Sequence, residues 1–305
     1  MLNIRILYIA TLLILTLSSC SDELNVIPDN EPGSDFNISD LKIESYVNRL
    51  FIDLIGREPT DVELNIEVDT LKASNLNREA RLVLISKLMT DTTPQINEGS
   101  YREAYYQNLY NLAKVRCLES VPDPEIRKDR NITYGGAIRD SLNGKWEQYY
   151  RKLNTVRRYD NLLASFEAFR NNDLNYREVM SVMMDNPVYD KINMNTFNFV
   201  RATFDQMLWR LPTQQEYDVS FNMIEFGEFG QLFNRYGSHK DDYLDILINS
   251  WGMYEGMVIW AFQLYMSREP SPQELYTIAQ IYLETQDISN VISEILLTDE
   301  YASFE

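Results

Sequence analysis

Three segments of the chain repeat one pattern, and this internal similarity constrains the fold more than any other feature. The segments cover residues 47–64, 200–217 and 258–275, and they align without gaps. Their shared apolar positions recur at i, i+4, i+7 and i+8, which places them on one face of a helix. The matching positions are Val47, Val200 and Val258; Phe51, Phe204 and Phe262; Leu54, Met207 and Tyr265; and Ile55, Leu208 and Met266. Each segment is therefore predicted to begin with an amphipathic helix.

The second half of each segment predicts a sharp corner. A proline follows the apolar positions, and the residue before a proline disfavours helical backbone. A hydroxyl residue comes next, with a glutamate three residues later, which is the pattern of a capping box. The prolines are Pro59, Pro212 and Pro270, and the hydroxyl and glutamate pairs are Thr60 with Glu63, Thr213 with Glu216, and Ser271 with Glu274. The predicted unit is a helix, a proline corner and a capped helix.

A third helix closes the unit. Residues 85–91 (ISKLMTD) match residues 292–299 (ISEILLTD), and residues 181–189 align with residues 293–301. Units of this size cannot bury their apolar faces alone, so they stack on their neighbours. The sequence therefore predicts that repeated helices form most of the folded part of the chain.

The stretch between the units is predicted to be helical as well. Residues 101–118 and 146–170 carry apolar residues at helical spacing. No stretch alternates between apolar and polar residues as a strand does, so no substantial sheet is expected. The predicted fold class is all-α: an irregular helical repeat array with a central helical insertion. Residues 119–145, with two prolines and three glycines, and residues 226–240, with three glycines, are predicted to be loops.

The third unit resembles helical repeats that have an LGR-x-P-x-x-x-E corner and a closing S-x-E-Y/F motif. Its corner reads SREPSPQE, and the first unit has LIGREPTDVE. Such repeats occur in uncharacterised bacterial surface proteins, in planctomycete secreted domains and in phycobilisome linker proteins. The second unit departs from the motif, with Trp209 in place of the glycine and Leu211 in place of the acidic residue. The resemblance implies a protein that binds other proteins and is not an enzyme.

The N-terminus reads as an export signal. Arg5 precedes an apolar run at residues 6–17, which is too short for a membrane span of roughly 20 residues. Leu17-Ser18-Ser19-Cys20 resembles a bacterial lipobox, which implies cleavage after residue 19 and lipidation of Cys20. The alternative is an ordinary cleavage site with a cysteine nearby.

Residues 20–38 read as a flexible acidic tether. Their start, Ser21-Asp22-Glu23, resembles the export signal of Bacteroidota surface lipoproteins. That resemblance implies an outer-membrane protein exposed at the cell surface, with a periplasm-facing position as the alternative. The folded part is predicted to divide into residues 39–190, with repeat 1 and the central helices, and residues 191–305, with repeats 2 and 3.

Charge and cysteine content exclude several classes of protein. The formal charge is −18, which argues against nucleic-acid binding and against peripheral attraction to anionic lipid. The chain has two cysteines. With Cys20 lipidated, Cys117 has no partner, so stability must come from the apolar core.

Few residues suggest chemistry. His239 is the single histidine, in a polar loop, and it is interpreted as exposed. Cys117 is interpreted as a buried structural residue. Asp241, Asp242 and Asp245 are interpreted as solvated charges at a helix start, with calcium binding together with Glu225 or Glu228 as the alternative. Residues 133–136 are interpreted as a turn, with a backbone anion nest as the alternative.

Two further features have a structural and a functional interpretation. An arginine recurs at each corner, as Arg57, Arg210 and Arg268. It either satisfies the corner or forms a ligand-binding ladder, and the first is favoured. The densest aromatic group is expected to lie mostly in helix packing, with any exposed ring a contact residue. That group is Tyr101, Tyr105, Tyr106, Tyr110, Tyr149 and Tyr150.

Three functions fit these observations. The leading one is a lipid-anchored subunit of an outer-membrane protein complex for secretion, protein assembly or nutrient uptake, without catalysis or a cofactor. The second is a surface module that binds a glycan or a peptide. The third is a hydrolase that uses a carboxylate pair, which no motif supports.

Overall fold

The computed structural model describes residues 38–95 and 99–304, and these residues are almost entirely helical. They contain fifteen α-helices and one two-stranded hairpin, which confirms the predicted all-α class. Residues Asp40–Glu305 form one compact unit. Among the described helices, none has the length and apolarity that a membrane span requires. The predicted signal segment, Cys20 and the tether up to residue 37 lie outside the described residues.

The elements follow one another closely along the chain. The helices are α1 (Asp40–Leu50), α2 (Asp61–Ala73), α3 (Arg78–Thr90), α4 (Tyr101–Leu118), α5 (Asp123–Leu142), α6 (Trp146–Arg170), α7 (Tyr176–Met184), α8 (Pro187–Asn193), α9 (Thr196–Leu208), α10 (Gln214–Phe226), α11 (Lys240–Ile248), α12 (Trp251–Met266), α13 (Pro272–Thr285), α14 (Ile288–Leu296) and α15 (Asp299–Ala302). A π-helical segment, Phe51–Ile55, extends α1. Strands β1 (Gly230–Leu232) and β2 (Arg235–Gly237) pair antiparallel.

The repeated apolar positions form the core, as their spacing predicted. Eleven of the twelve are buried, and Met266 is half-buried. Each predicted corner joins two helices: α1 with its π-helical extension to α2, α9 to α10, and α12 to α13. All three capping boxes are formed, with both hydrogen bonds present in each. The local prediction for the repeated segments is therefore confirmed.

The first and last units pack against each other. The Tyr46 hydroxyl donates to the Leu296 carbonyl oxygen at 3.2 Å, and Arg49 donates to the Tyr301 carbonyl oxygen at 2.8 Å. The Tyr301 hydroxyl donates to Asp53 at 2.7 Å. These bonds tie the two ends of residues 40–305 together. The predicted division of the folded part into residues 39–190 and 191–305 stays a prediction.

The second and third units meet at an unusually close helix contact. A Cβ atom on Gly256 would lie 2.2 Å from the Met207 carbonyl oxygen and 2.8 Å from the Leu208 backbone. Only glycine fits there, because any side chain would push α12 away from the end of α9. The repeated helices therefore approach one another directly.

The predicted loop at residues 119–145 is wrong, because residues 123–142 form α5. Its prolines stand at the start of the helix: Pro122 is the N-cap residue and Pro124 lies in the first turn, where a missing N–H costs little. Gly135 and Gly136 lie inside the helix, which packs along α6. Tertiary packing overrides their low helix propensity. The other predicted loop, residues 226–240, contains the β1–β2 hairpin.

Candidate functional site

The recurring arginine is part of each corner, which confirms the structural interpretation. In the first corner, Arg57 donates to both oxygens of Glu63, at 2.9 and 2.8 Å, and to the Glu58 carbonyl oxygen at 2.9 Å. Arg210 and Arg268 make the same bidentate contacts with Glu216 and Glu274. These planar pairs use most of the donor capacity of the guanidinium groups.

The same arginines also rest on the core. Each guanidinium lies over the repeated phenylalanine of its own unit: Arg57 over Phe51 at 5.7 Å, Arg210 over Phe204 at 5.3 Å and Arg268 over Phe262 at 4.9 Å. Arg268 also donates to Glu300 at 2.7 Å. The three arginines thus join a core ring, a helix end and a helix start, and they do not form a common ligand site.

The corner glutamates are held ionised. Burial raises the pKa of Glu63, but hydrogen bonds from Arg57, Tyr101 and Thr60 outweigh burial and lower the pKa to about 2. The Arg210 hydrogen bond lowers the pKa of Glu216 to about 2, and the Arg268 hydrogen bond does the same for Glu274. These carboxylates are structural acceptors and are poorly suited to act as proton donors near neutral pH.

His239 and Cys117, the two residues considered for catalysis, have structural roles that are unrelated to each other. His239 is exposed and is the N-cap residue of α11. Cys117 is 1% exposed, and burial raises the pKa of its thiol to about 12. A thiol with such a pKa is protonated at neutral pH and is a poor nucleophile. Both structural interpretations are confirmed.

The acidic residues near His239 have protein partners. Asp242 accepts a hydrogen bond from the Ser238 N–H at 2.8 Å, and Asp245 pairs with Arg235 at 2.7 Å. In the part of the chain that the structure describes, no group of three or more His, Cys, Asp or Glu residues is placed to hold a metal ion. Neither interpretation of residues 133–136 holds, because this segment is helical in α5.

A groove of about 350 Å³ beside α7 and α11 contains four carboxylates, those of Glu178, Asp185, Asp241 and Asp245. Glu178 caps α7 by accepting from the Asn175 N–H at 2.7 Å. Asp185 pairs with Arg158 at 2.9 Å, and Asp245 is the partner of Arg235. Three of the four carboxylates thus have partners within the protein.

The predicted tyrosine group divides between core and surface. Tyr101, Tyr105 and Tyr110 are buried, Tyr106 and Tyr149 are half-buried, and Tyr150 is exposed. Tyr105 and Tyr106 border a cleft of about 220 Å³ between α4, the α6–α7 turn and the start of α14. The other aromatic and polar residues lining the cleft include Phe169, Asn172, Asn175 and Asp287. The cleft combines aromatic walls with hydrogen-bonding groups.

A larger aromatic group lies on α9, α10 and the β1–β2 hairpin, and we call it the aromatic face. Phe197, Tyr217, Phe221 and Phe226 follow one another with ring centroids 5.6, 5.7 and 5.9 Å apart. Phe229 and Tyr236 stack in parallel, with centroids 5.3 Å apart. Phe229 is 75% exposed, and Phe197, Phe226 and Tyr236 are exposed as well. These exposed rings form an apolar patch on the surface of the protein.

The α5–α6 hairpin is the second exposed feature. Helix α5 packs mainly along α6, and the buried residues of α6 all lie from Val156 onward. The first ten residues of α6 contain no buried residue, and they span about 15 Å. The end of this hairpin, around the turn at residues 143–145, therefore extends past the part that is buried against the other helices. We call the folded residues outside the hairpin the body.

The hairpin differs from the rest of the chain in charge. Residues 123–170 contain ten Lys and Arg against seven Asp and Glu, a formal charge of +3. The whole chain carries −18, so the remainder carries −21. The acidic character of the chain therefore lies outside the hairpin.

Sequence reasoning missed both exposed features. Phe226, Phe229 and Tyr236 lie in residues 226–240, which were interpreted only as a loop, although four aromatic residues among three glycines in this segment were a visible signal. The local charge of residues 123–170 could have been counted, but the net charge concealed it. Comparison with known proteins found no matching family model, no similar curated protein and no similar solved structure.

Proposed function

We propose that this protein is a lipid-anchored outer-membrane surface protein that acts, without catalysis, as an interaction subunit of a membrane-associated protein complex. The signal segment directs export and is removed, and the lipid on Cys20 attaches the protein to the membrane. The aromatic face is the observation that carries the interaction role, and it is the contact surface for another subunit.

Aromatic residues are enriched in the cores of protein interfaces, because a rigid ring buries a large area at a small cost in side-chain entropy. Phe229 and Tyr236 already stack on each other, so little further order is lost when a partner covers them. The corner arginines and glutamates, by contrast, are engaged inside the fold. The exposed rings are therefore the side chains most available for binding.

A crosslinking experiment tests this proposal. A photo-reactive amino acid replaces Phe229 in the full chain, which is expressed in its native host and solubilised in mild detergent. We expect a single outer-membrane protein to be crosslinked and to co-purify in stoichiometric amount. The matched control places the same photo-reactive group at Tyr276, an exposed aromatic residue on α13.

The control should give no such product. Recovery of a lone monomer in several detergents, without a crosslink from Phe229, would contradict the proposal. Equal crosslinking from Tyr276 would contradict the assignment to the aromatic face.

Membrane attachment has a separate test. We expect labelled palmitate to enter the wild-type chain and to be lost from the Cys20→Ala variant, which should also leave the membrane fraction. Equal labelling of both chains would overturn the lipid anchor, whatever the crosslinking result.

A second candidate function is the binding of a glycan or a peptide, and the cleft beside Tyr106 favours it. Aromatic walls with Asn and Asp side chains suit stacking on a sugar ring with hydrogen bonds to its hydroxyl groups. Calorimetry with the soluble domain and a set of polysaccharides and peptides tests this candidate. Binding that is lost in Tyr106→Ala would support it, and silence across the set would remove it.

A further inference from the structure

The end of the α5–α6 hairpin combines exposed apolar side chains with unpaired positive charge. Leu142 is 82% exposed and Trp146 is 56% exposed, on either side of the turn at residues 143–145. Ile138 and Tyr150 lie one helical turn further from this turn on each helix, and they are exposed as well. We call residues 138–150 the hairpin tip.

The charges at the tip are not balanced locally. Its two carboxylates are already paired with cations of the hairpin: Asp140 with Lys152 at 2.6 Å, and Glu147 with Arg151 at 3.7 Å. Arg139 and Lys145 are exposed and form no ion pair with any residue that the structure describes. The charge that the tip offers to a partner is therefore positive.

We propose that the hairpin tip binds an anionic phospholipid surface, as a second membrane contact that is independent of the lipid on Cys20. Cations next to exposed Leu, Trp and Tyr side chains are the combination found at the membrane interface. There the apolar groups enter the boundary of the acyl chains, aromatic rings lie at headgroup level, and Lys and Arg meet the phosphates.

The geometry favours lipid over a folded protein as the occupant. The apolar side chains stand at the end of a two-helix hairpin, so a protein partner would need a matching concave pocket, whereas a bilayer deforms around them. The net charge of the chain does not oppose this contact, because charges farther away than a Debye length of about 8 Å are largely screened. Trp146 and the turn before it lie about 15 Å along α6 from Val156, the first buried residue of that helix, so this end of the tip is farther than a Debye length from the buried part of the hairpin.

Vesicle binding tests this inference without the acyl anchor. Since residues 40–305 form one compact unit with its own core, a chain that starts at residue 38 is suitable. Its flotation is measured with vesicles of phosphatidylglycerol and phosphatidylcholine in equal parts, and with vesicles of phosphatidylcholine alone. We expect the chain to bind the anionic vesicles. Its binding to the neutral vesicles should be weaker by about tenfold or more.

Two variants locate the contact. Leu142→Ser with Trp146→Ser, and separately Arg139→Gln with Lys145→Gln, should each weaken binding to anionic vesicles by about tenfold. The control Tyr276→Ser removes an exposed ring elsewhere, and Arg78→Gln with Arg235→Gln removes the same charge from the body. Both controls should bind within about twofold of the wild-type chain. Circular dichroism melts confirm that every variant is folded.

The inference is overturned if the wild-type chain does not float with anionic vesicles, or if it floats equally with neutral ones. Equal losses in the tip variants and their controls would also overturn it. The crosslinking result at Phe229 is unaffected by any of these outcomes, since that surface is on different elements.

Discussion

In the three corners, side chains join the end of one helix to the start of the next, whereas in the α5–α6 hairpin two long helices are joined by a three-residue turn. The corner arginine contacts a core phenylalanine, a backbone carbonyl and a glutamate at once, as Arg57 does with Phe51 and Glu63. In the distal hairpin, contacts run mainly between its own two helices, as in the pair Lys152 and Asp140. The corners therefore determine the fold, whereas the side chains at the hairpin end contribute few contacts to the rest of the protein.

This difference separates residues that are required for folding from residues that can bind. A repeated motif attracts attention in a sequence, but here its polar residues are used within the fold. The exposed groups that remain, on the aromatic face and at the hairpin tip, lie outside the repeated motif or at positions where it is extended. Four experiments test the contrast between corner and hairpin.

The largest expected effect is at the repeated phenylalanine. Phe204 is fully buried under Arg210, and Phe204→Ala should lower the free energy of unfolding by about 3–5 kcal/mol. Tyr150→Ala, at the hairpin tip, should lower it by less than about 0.5 kcal/mol. Chemical denaturation of both variants measures the difference. Similar losses of unfolding free energy in the two variants would contradict the contrast between corner and hairpin.

A smaller effect is expected at a corner glutamate. Because the folded pKa of Glu63 is about 2, its stabilising contribution is present above the unfolded value of 4.5 and is lost as the pH falls between these values. Glu63→Gln should cost about 1–2 kcal/mol at pH 7 and should flatten the stability profile below pH 4.5. Glu147→Gln, at an exposed hairpin carboxylate, should leave both the stability at pH 7 and the pH profile unchanged. Thermal melts from pH 7 to pH 2.5 decide between these expectations, and an unaltered profile in Glu63→Gln would refute the role of the corner.

The helix ends at the corners allow a stabilising change. Gly56, Trp209 and Ser267 occupy matching positions with positive φ, and Ser267 has a φ of 54°. Ser267→Gly should raise the free energy of unfolding by about 0.5–1 kcal/mol, because glycine adopts this backbone without strain. Asn143→Gly in the hairpin turn, where φ is −94°, should not stabilise the chain. Chemical denaturation measures both changes, and stabilisation by both variants, or by neither, would argue against backbone strain at the corner.

The smallest effect is expected from shortening the hairpin. Replacing residues 132–151 by a short Gly-Ser linker removes helix that contacts mainly its own hairpin partner. The free energy of unfolding should fall by less than about 0.5 kcal/mol, and unfolding should stay cooperative, because the body keeps its core. Differential scanning calorimetry gives the measurement. A broad or split transition would show that the distal hairpin supports the body.

Local patterns predicted the corners well because each depends on residues close together in the chain. The hydroxyl and the glutamate of a capping box are three residues apart, and the arginine is six residues before its glutamate, so the contacts can be read from spacing. Helix α5 was missed because Gly135 and Gly136 have low helix propensity, and its stability comes from α6, on the other side of a turn. The proline pattern at Pro122 was interpreted as a loop when it marked a helix start.

The all-α class, the buried apolar face of each unit and the capped corners could be predicted from the sequence, since these follow from helical periodicity and short-range hydrogen bonds. The sequence also carried the charge difference between hairpin and body. Two features became visible only in the folded chain: the contact between the first and last units, as in the bond from Tyr46 to Leu296, and the identity of the exposed aromatic rings. Both depend on contacts between residues that are distant in the chain, and no local spacing specifies which of several similar apolar faces will pack together.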